Sequence, residues 1–114
     1  MDGMTVLCVE NRADDLDTLK SMLEGIGYEV VGATSARQAL DLLTTKPVDG
    51  VLLEYDLPDA TGTAVRAQMK RIRPEVPVVL FAGVGMQTPS LLRFFDSYLK
   101  SENRPEEGFE HLVA

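Results

Sequence analysis

The chain has little of several residue types on which whole classes of protein depend. Its single cysteine, Cys8, excludes an internal disulfide, and its single histidine, His111, excludes a histidine-rich metal site. No apolar run approaches the roughly 20 residues that a membrane-spanning helix needs, and the first residues carry acids where a signal peptide has a basic flank. We therefore expect a soluble, cytoplasmic protein with no membrane segment.

Basic residues are also scarce. The chain has 11 Lys and Arg against 18 Asp and Glu, which gives a net charge of -7. Such a surface repels phosphate backbones, so we expect no nucleic-acid binding by this domain. A length of 114 residues, 45% of them hydrophobic, allows one ordinary core. We predict a single domain over 1–114, whether or not it is a fragment of a longer chain.

Short apolar runs alternate with amphipathic stretches along the chain. Strands are predicted over 5–9, 28–33, 49–54 and 76–83, with a brief fifth over 97–100. The stretches between them carry apolar residues at helical spacing. They include a short helix over 88–95, and a last helix is predicted to begin near Pro105. This alternation predicts an α/β fold, a three-layer doubly wound domain with a five-stranded parallel sheet.

Polar residues stand where several of these strands end. In doubly wound folds the ligand crevice lies beyond the carboxyl ends of the strands. Glu10 and Asn11 follow the first strand, Glu54 ends the third, and Ala82 ends the fourth. Two carboxylates are therefore predicted to converge at one edge of the sheet.

The order and spacing of these pieces resemble the receiver domain of two-component response regulators over nearly the whole chain. The resemblance is carried by "VLCVENRADDLDTLKSMLEGIGYEVVGATSARQALDLL", by "VDGVLLEYDLPDATG", by "VPVVLFA" and by "YLK". It implies a flavodoxin-like strand order of 2-1-3-4-5 and a role in bacterial two-component or phosphorelay signalling.

The resemblance also implies a site whose residues are altered here. In that family an acidic pair holds magnesium, and an aspartate after the third strand takes a phosphoryl group from a partner histidine. Glu10 and Asn11 occupy the positions of the acidic pair, and Glu54 occupies that of the phosphoacceptor.

Two further family positions read the phosphoryl oxygens. Ala82 stands where the resemblance implies a hydroxyl, and Ser101, counted from Tyr98, stands where it implies a lysine. The segment between Ala82 and Tyr98 is short for the family, which predicts a truncated fourth helix.

These substitutions lead to the hypothesis of a degenerate receiver that is not an enzyme and acts mainly through protein–protein contact. Magnesium binding at Glu10 and Glu54 is expected to be weak at most, because Asn11 removes a charge. The resemblance implies a histidine kinase, an output domain or an output protein as partner. It also implies a homodimer face built from helix four, strand five and helix five.

Other interpretations stay open. Glu54 could imitate the phosphorylated, active state, or Asp56 could act as an irregular acceptor in a working phosphorelay. Arg12 follows the degenerate acidic pair and either neutralises Glu10 and Glu54 as an internal counter-cation or points into solvent. An interpretation of another class is a small-ligand binder or enzyme on a flavodoxin-like sheet.

Overall fold

The computed structural model describes residues 3–85 and 87–101, in which strands and helices alternate. The strands are β1 (Thr5–Val9), β2 (Glu29–Ala33), β3 (Gly50–Glu54) and β4 (Val78–Phe81). The helices are α1 (Ala13–Gly25), α2 (Ala36–Thr45), α3 (Gly62–Ile72) and α4 (Thr88–Lys100). Within the described residues, no helix has the length and apolar character needed to cross a membrane.

The strands of the described residues form one parallel sheet in the order β2-β1-β3-β4. β1 lies between two neighbours, so that Leu7 is aligned with Val31 on one side and with Val51 on the other. The predicted doubly wound, flavodoxin-like fold is confirmed, with the expected order for these four strands. We call the side of the sheet where the strands begin the amino edge and the side where they end the carboxyl edge.

Helices cover both faces of the sheet and complete the three predicted layers. Successive side chains of a strand point to opposite faces, which divides the core in two. One half packs under α2 and α3 and includes Leu7, Val9, Val51, Leu53, Val78 and Leu80. The other half packs under α1 and α4 and includes Val6, Cys8, Leu52, Val79 and Phe81. Burial raises the pKa of the Cys8 thiol, which makes it a structural group of the core.

The prediction of a fifth strand over 97–100 is wrong, and so is the prediction of a truncated fourth helix. α4 is 13 residues long and continues to Lys100. The reason is its apolar pattern, because the buried side chains recur at helical spacing through the whole segment: Leu91, Leu92, Phe95, Tyr98 and Leu99. The helix predicted near Pro105 lies outside the described residues.

The position of α4 also changes the predicted pairing face. α4 shares a core half with α1, and its last turn reaches the amino edge, where the Leu99 side chain fills the space beside Gly50. A Cβ added at Gly50 would lie 2.5 Å from Leu99 Cδ1. A dimer face that combines helix four with a strand over 97–100 is therefore not formed as predicted.

Candidate functional site

The carboxyl edge of the sheet holds a cavity of about 310 Å³. Its walls come from the ends of β1, β3 and β4, from the loops that follow and from the first turn of α1, and they comprise Glu10, Asn11, Arg12, Asp15, Glu54, Asp56, Ala82 and Gly83. The structure thus brings together most of the residues that the sequence singled out. Four carboxylates and one guanidinium share this space.

Glu54 is the last residue of β3 and is almost fully buried. Its Oε1 accepts a hydrogen bond of 3.0 Å from the backbone N–H of Gly83, and its Oε2 accepts one of 3.0 Å from the N–H of Asp56. Gly83 has a φ of 82°, a backbone conformation that favours glycine. The carboxylate therefore ties the loop after β3 to the loop after β4.

Glu10 follows β1 and is buried beside Glu54, with 2% of its surface exposed. Its Oε2 accepts a hydrogen bond of 3.1 Å from the backbone N–H of Arg12. Its Oε1 is buried and has no hydrogen-bond partner among the described residues when both glutamates are ionised. Burial raises the pKa of Glu10 to about 7; the Arg12 amide opposes this shift, and the Glu54 carboxylate adds to it.

The Arg12 side chain lies at the rim of the cavity and is 76% exposed. Its Nε lies 3.5 Å from Asp15 Oδ2, an exposed ion pair one turn along α1. Arg12 is the N-cap of α1, and there its amide turns inward to Glu10 while its side chain turns outward. The guanidinium therefore has a different partner from the two glutamates that the counter-cation hypothesis assigned to it.

Comparison with known proteins identifies the family. Residues 6–95 match the sequence model of the response regulator receiver domain. The chain belongs to this family. The receiver resemblance predicted from the sequence is thereby confirmed.

Characterised relatives are longer response regulators. The chain is 28% identical over 119 residues to the phosphate regulon transcriptional regulatory protein PhoB of Pseudomonas aeruginosa, covering all of this chain and 52% of PhoB. It is 30% identical over 79 residues to the transcriptional regulatory protein ZraR of Escherichia coli, covering 69% of this chain and 18% of ZraR. The chain thus spans about half or less of the length of these relatives.

Solved receiver domains have the same fold. A CheY-like response regulator receiver domain protein from Methanospirillum hungatei superposes with a TM-score of 0.73 at 22% identity, covering 97% of this chain and 82% of that one. The non-phosphorylated HemR receiver domain from Leptospira biflexa gives a TM-score of 0.65 at 26% identity, covering 93% and 83%.

Two residues that were mapped onto receiver switch positions lie far from the cavity. Tyr98 is in the last turn of α4, where its ring stacks on Phe94 at a centroid distance of 5.8 Å. Ser101 ends the helix, and its backbone N–H donates to the Tyr98 carbonyl. Because α4 runs back towards the amino edge, neither side chain is placed to contact Glu54. Ala82 does line the cavity, where its methyl group offers no hydrogen bond.

A receiver of this family would hold magnesium at the carboxyl edge, so the donor set there decides whether the ion fits. Within residues 3–85 and 87–101, no group of three or more His, Cys, Asp or Glu side chains is arranged to hold a metal ion. Glu54 already accepts an amide hydrogen on each oxygen, and Glu10 leaves one oxygen open. Asn11 and Asp56 lie exposed at the rim. The residues present do not fit the usual ion.

Sequence reasoning missed the backbone donors and two carboxylates of this edge, Asp15 at the cavity and Asp59 beside it. Asp59, in the loop after β3, accepts hydrogen bonds of 2.8 and 3.0 Å from the amides of Ala36 and Arg37, at the start of α2. These bonds lower the pKa of Asp59, because they favour its ionised form. The preference of aspartate for helix N-termini is a usable signal, but its distance along the chain from α2 hides it.

Proposed function

We propose that this receiver domain acts through contact with other signalling proteins and does not switch by phosphoryl transfer. The observation that supports this most strongly is the state of Glu54, which stands at the phosphoacceptor position with both oxygens engaged by backbone amides. Phosphoryl transfer needs an acceptor oxygen that can align with phosphorus, and two amide donors restrain the rotation of this carboxylate.

Two further features of the site support the same proposal. Glutamate is one methylene longer than aspartate, and a displacement of about 1 Å from in-line geometry can lower a rate on the order of a hundredfold. Phosphoryl transfer also needs cations that neutralise developing charge. Here the described donor set does not fit magnesium, and no lysine of the described residues lines the cavity. We expect at most weak magnesium binding by Glu10 and Glu54.

The test is incubation with acetyl phosphate and magnesium, followed by intact-mass measurement and peptide mapping. We expect no phosphoryl adduct on the natural chain. Glu54→Asp restores the family's acceptor residue, and Glu54→Gln removes the carboxylate as a control. An adduct on Glu54→Asp would show that only the acceptor residue is missing, whereas no adduct would show that the rest of the site is also unsuited to the reaction. A phosphoryl group mapped to residues 54–56 of the natural chain would overturn the proposal.

A second candidate is a domain held permanently in its active state by Glu54. The contact that favours it is the hydrogen bond between Glu54 Oε1 and Gly83, which lets the carboxylate act on the loop after β4 although Ala82 offers no hydroxyl. If Glu54 is such a mimic, Glu54→Gln will shift the amide resonances of α4 as well as those of the cavity. Shifts confined to the cavity would exclude it.

A further proposal is that Asp56 acts as an irregular phosphoacceptor. Its side chain is exposed and lines the cavity, while its own amide holds Glu54. The mapping experiment decides this case as well, because an adduct that disappears in Asp56→Asn and persists in Glu54→Gln would assign the reaction to Asp56.

The family indicates the class of partner. Receiver domains interact with histidine kinases and with output domains, and the relatives named above are transcriptional regulators. We propose a cytoplasmic signalling protein of one of these kinds as the partner of this chain. We assign the domain no catalytic activity of its own.

A further inference from the structure

We propose that the acidic cavity at the carboxyl edge receives a cationic side chain, a lysine or an arginine, from the partner protein. This inference rests on the proposed function, since it names the group through which contact without phosphoryl transfer is made. In the family the resemblance places a lysine of the same chain at this position. Here the described residues put none there, and the charge of the cavity is left open.

The charges of the cavity are not balanced within the described part of the chain. Carboxylates of Glu10, Asp15, Glu54 and Asp56 line the cavity, against the single guanidinium of Arg12. That guanidinium is exposed and engaged with Asp15. Lys100 is at the opposite edge of the sheet, where its Nζ lies 3.0 Å from Asp96 Oδ1. A further cation is therefore the group that this cavity attracts.

One oxygen atom, Glu10 Oε1, is the acceptor that the incoming cation is proposed to contact. Glu10 Oε1 lies inside the protein, on a residue with 2% of its surface exposed, and while Glu10 and Glu54 are both ionised it has no hydrogen-bond donor among the described residues. A buried ionised oxygen without a donor is costly, and a charged N–H donor relieves that cost more strongly than a neutral one. Each Glu54 oxygen accepts one amide hydrogen and retains a further lone pair for the same donor.

The shape of the cavity suits a side chain better than a bare ion. A volume of about 310 Å³, open to solvent, is within the range of small-ligand sites. A metal ion needs several ligands at fixed short distances, and the described carboxylates are not arranged to supply them. An ammonium or guanidinium group on a flexible stem can reach Glu10 from the rim and needs only one or two acceptors.

The test uses the full chain, labelled with nitrogen-15, and three amide resonances as reporters. The amides of Arg12, Asp56 and Gly83 donate to the two glutamates, so they respond to a cation bound between them. A capped Gly-Lys-Gly peptide is titrated at low, constant ionic strength and compared with the same peptide carrying Nε-acetyl-lysine. We expect saturable shifts of the three amides and at least tenfold weaker binding after acetylation, which removes the charge.

Two variants test whether Glu10 is the residue that binds the lysine peptide. Glu10→Gln keeps the shape of the side chain and removes its charge, and we expect at least a tenfold loss of affinity for the lysine peptide. Glu24→Gln changes an exposed glutamate of α1 and is the matched control, with unchanged affinity expected. If Glu10→Gln fails to fold, the comparison of the two peptides on the natural chain still decides.

Three results would overturn the inference. They are equal binding of the acetylated peptide, no shift of the three amides with the lysine peptide, and shifts produced by magnesium alone at the same concentration. These outcomes are distinct from failure of the proposed function, which would appear as a phosphoryl adduct at residues 54–56.

Discussion

At the amino edge of the sheet, Asp96 and Glu75 meet cations and a hydroxyl, whereas at the carboxyl edge the buried Glu10 and Glu54 meet backbone amides and each other. Asp96 accepts a 2.5 Å hydrogen bond from the Tyr28 hydroxyl and forms an ion pair with Lys100, and these partners lower the pKa of Asp96. Glu75 is paired with Arg73 at 2.8 Å. At the other edge the buried Glu10 and Glu54 share no described cation, and burial raises the pKa of Glu10.

This difference distinguishes carboxylates that stabilise the fold through a partner from carboxylates that are available to bind another molecule. A partnered carboxylate near the surface fixes one element against another at little cost. A buried carboxylate without a counter-cation lowers stability, and natural chains keep such groups mainly at functional sites. The carboxyl edge carries this cost at Glu10 and Glu54, which is why we propose a role in recognition for it.

The largest expected effect concerns the backbone that positions Glu54. A Cβ at Gly62 would lie 2.7 Å from Tyr55 Cα and 2.8 Å from the Glu54 carbonyl oxygen, both backbone atoms. Gly62→Ala must therefore push α3 away from the end of β3, and we expect a loss of about 3 kcal/mol in the free energy of unfolding. Urea denaturation measures it.

The matched control for that substitution is Gly25→Ala in α1, where a Cβ meets nothing within 4 Å. It should stabilise the protein by about 0.5 kcal/mol, because alanine loses less backbone entropy on folding. Equal effects of the two substitutions would mean that the end of β3 is not tightly packed against α3.

The second effect isolates the uncompensated charge. The folded protein holds Glu10 with a pKa of about 7, above its ordinary value of 4.5, so it binds that proton more tightly than the unfolded chain does. The resulting stability is present at pH values below the ordinary pKa and is lost as the pH rises through about 7.

Glu10→Gln should therefore stabilise the protein at pH 8, by on the order of 2 kcal/mol. The gain should shrink towards zero as the pH falls to the ordinary pKa of a glutamate. Urea titrations at the two ends of this range measure it, with the exposed Glu24→Gln as control. A destabilising effect at pH 8 would show that Glu10 is compensated after all.

The third effect tests the partnered edge. Tyr28→Phe keeps the edge-to-face contact of the ring with Phe95, at a centroid distance of 6.2 Å, and removes the hydroxyl that donates to Asp96. We expect a loss of about 1 kcal/mol, since Asp96 retains Lys100. Thermal denaturation should show no comparable loss for Tyr55→Phe, which alters a ring that is 42% exposed.

The smallest effect concerns Arg12. Its side chain is 76% exposed and its ion pair lies at the surface, so Arg12→Ala should change the free energy of unfolding by less than about 0.5 kcal/mol. The same denaturation measurement applies. A loss of about 2 kcal/mol or more, the cost of leaving a buried charge unpaired, would restore Arg12 as the internal counter-cation.

Much of the fold could be predicted from the sequence, because β1 to β4 are apolar runs with polar or breaking residues at their ends. The failure lies in α4. Leu91, Phe95 and Leu99 continue one helical stripe, but the strand predicted over 97–100 divided that stripe. Helical periodicity over the whole segment was a better guide there than the short apolar run, because the apolar stripe continues to Leu99.

The sequence predicted which side chains meet at the site, but it did not predict the hydrogen bonds that they accept from backbone amides. The ends of parallel strands must meet at one edge, so Glu10, Glu54 and Ala82 could be placed together. The amides of Asp56 and Gly83 could not, because a backbone N–H has no sequence signature and its direction depends on loop torsions. The outward turn of Arg12 was one of two alternatives that the sequence left open, and it accompanies the N-cap position of this residue.

The most direct test of the central claim, that the carboxyl edge holds an uncompensated pair of glutamates, is a carbon-13 NMR titration of the Glu10 and Glu54 side-chain carboxyls. The account predicts that Glu10 titrates near pH 7, with the amide resonance of Arg12 moving at the same midpoint. Titration of Glu10 near the ordinary glutamate value of 4.5 would contradict it.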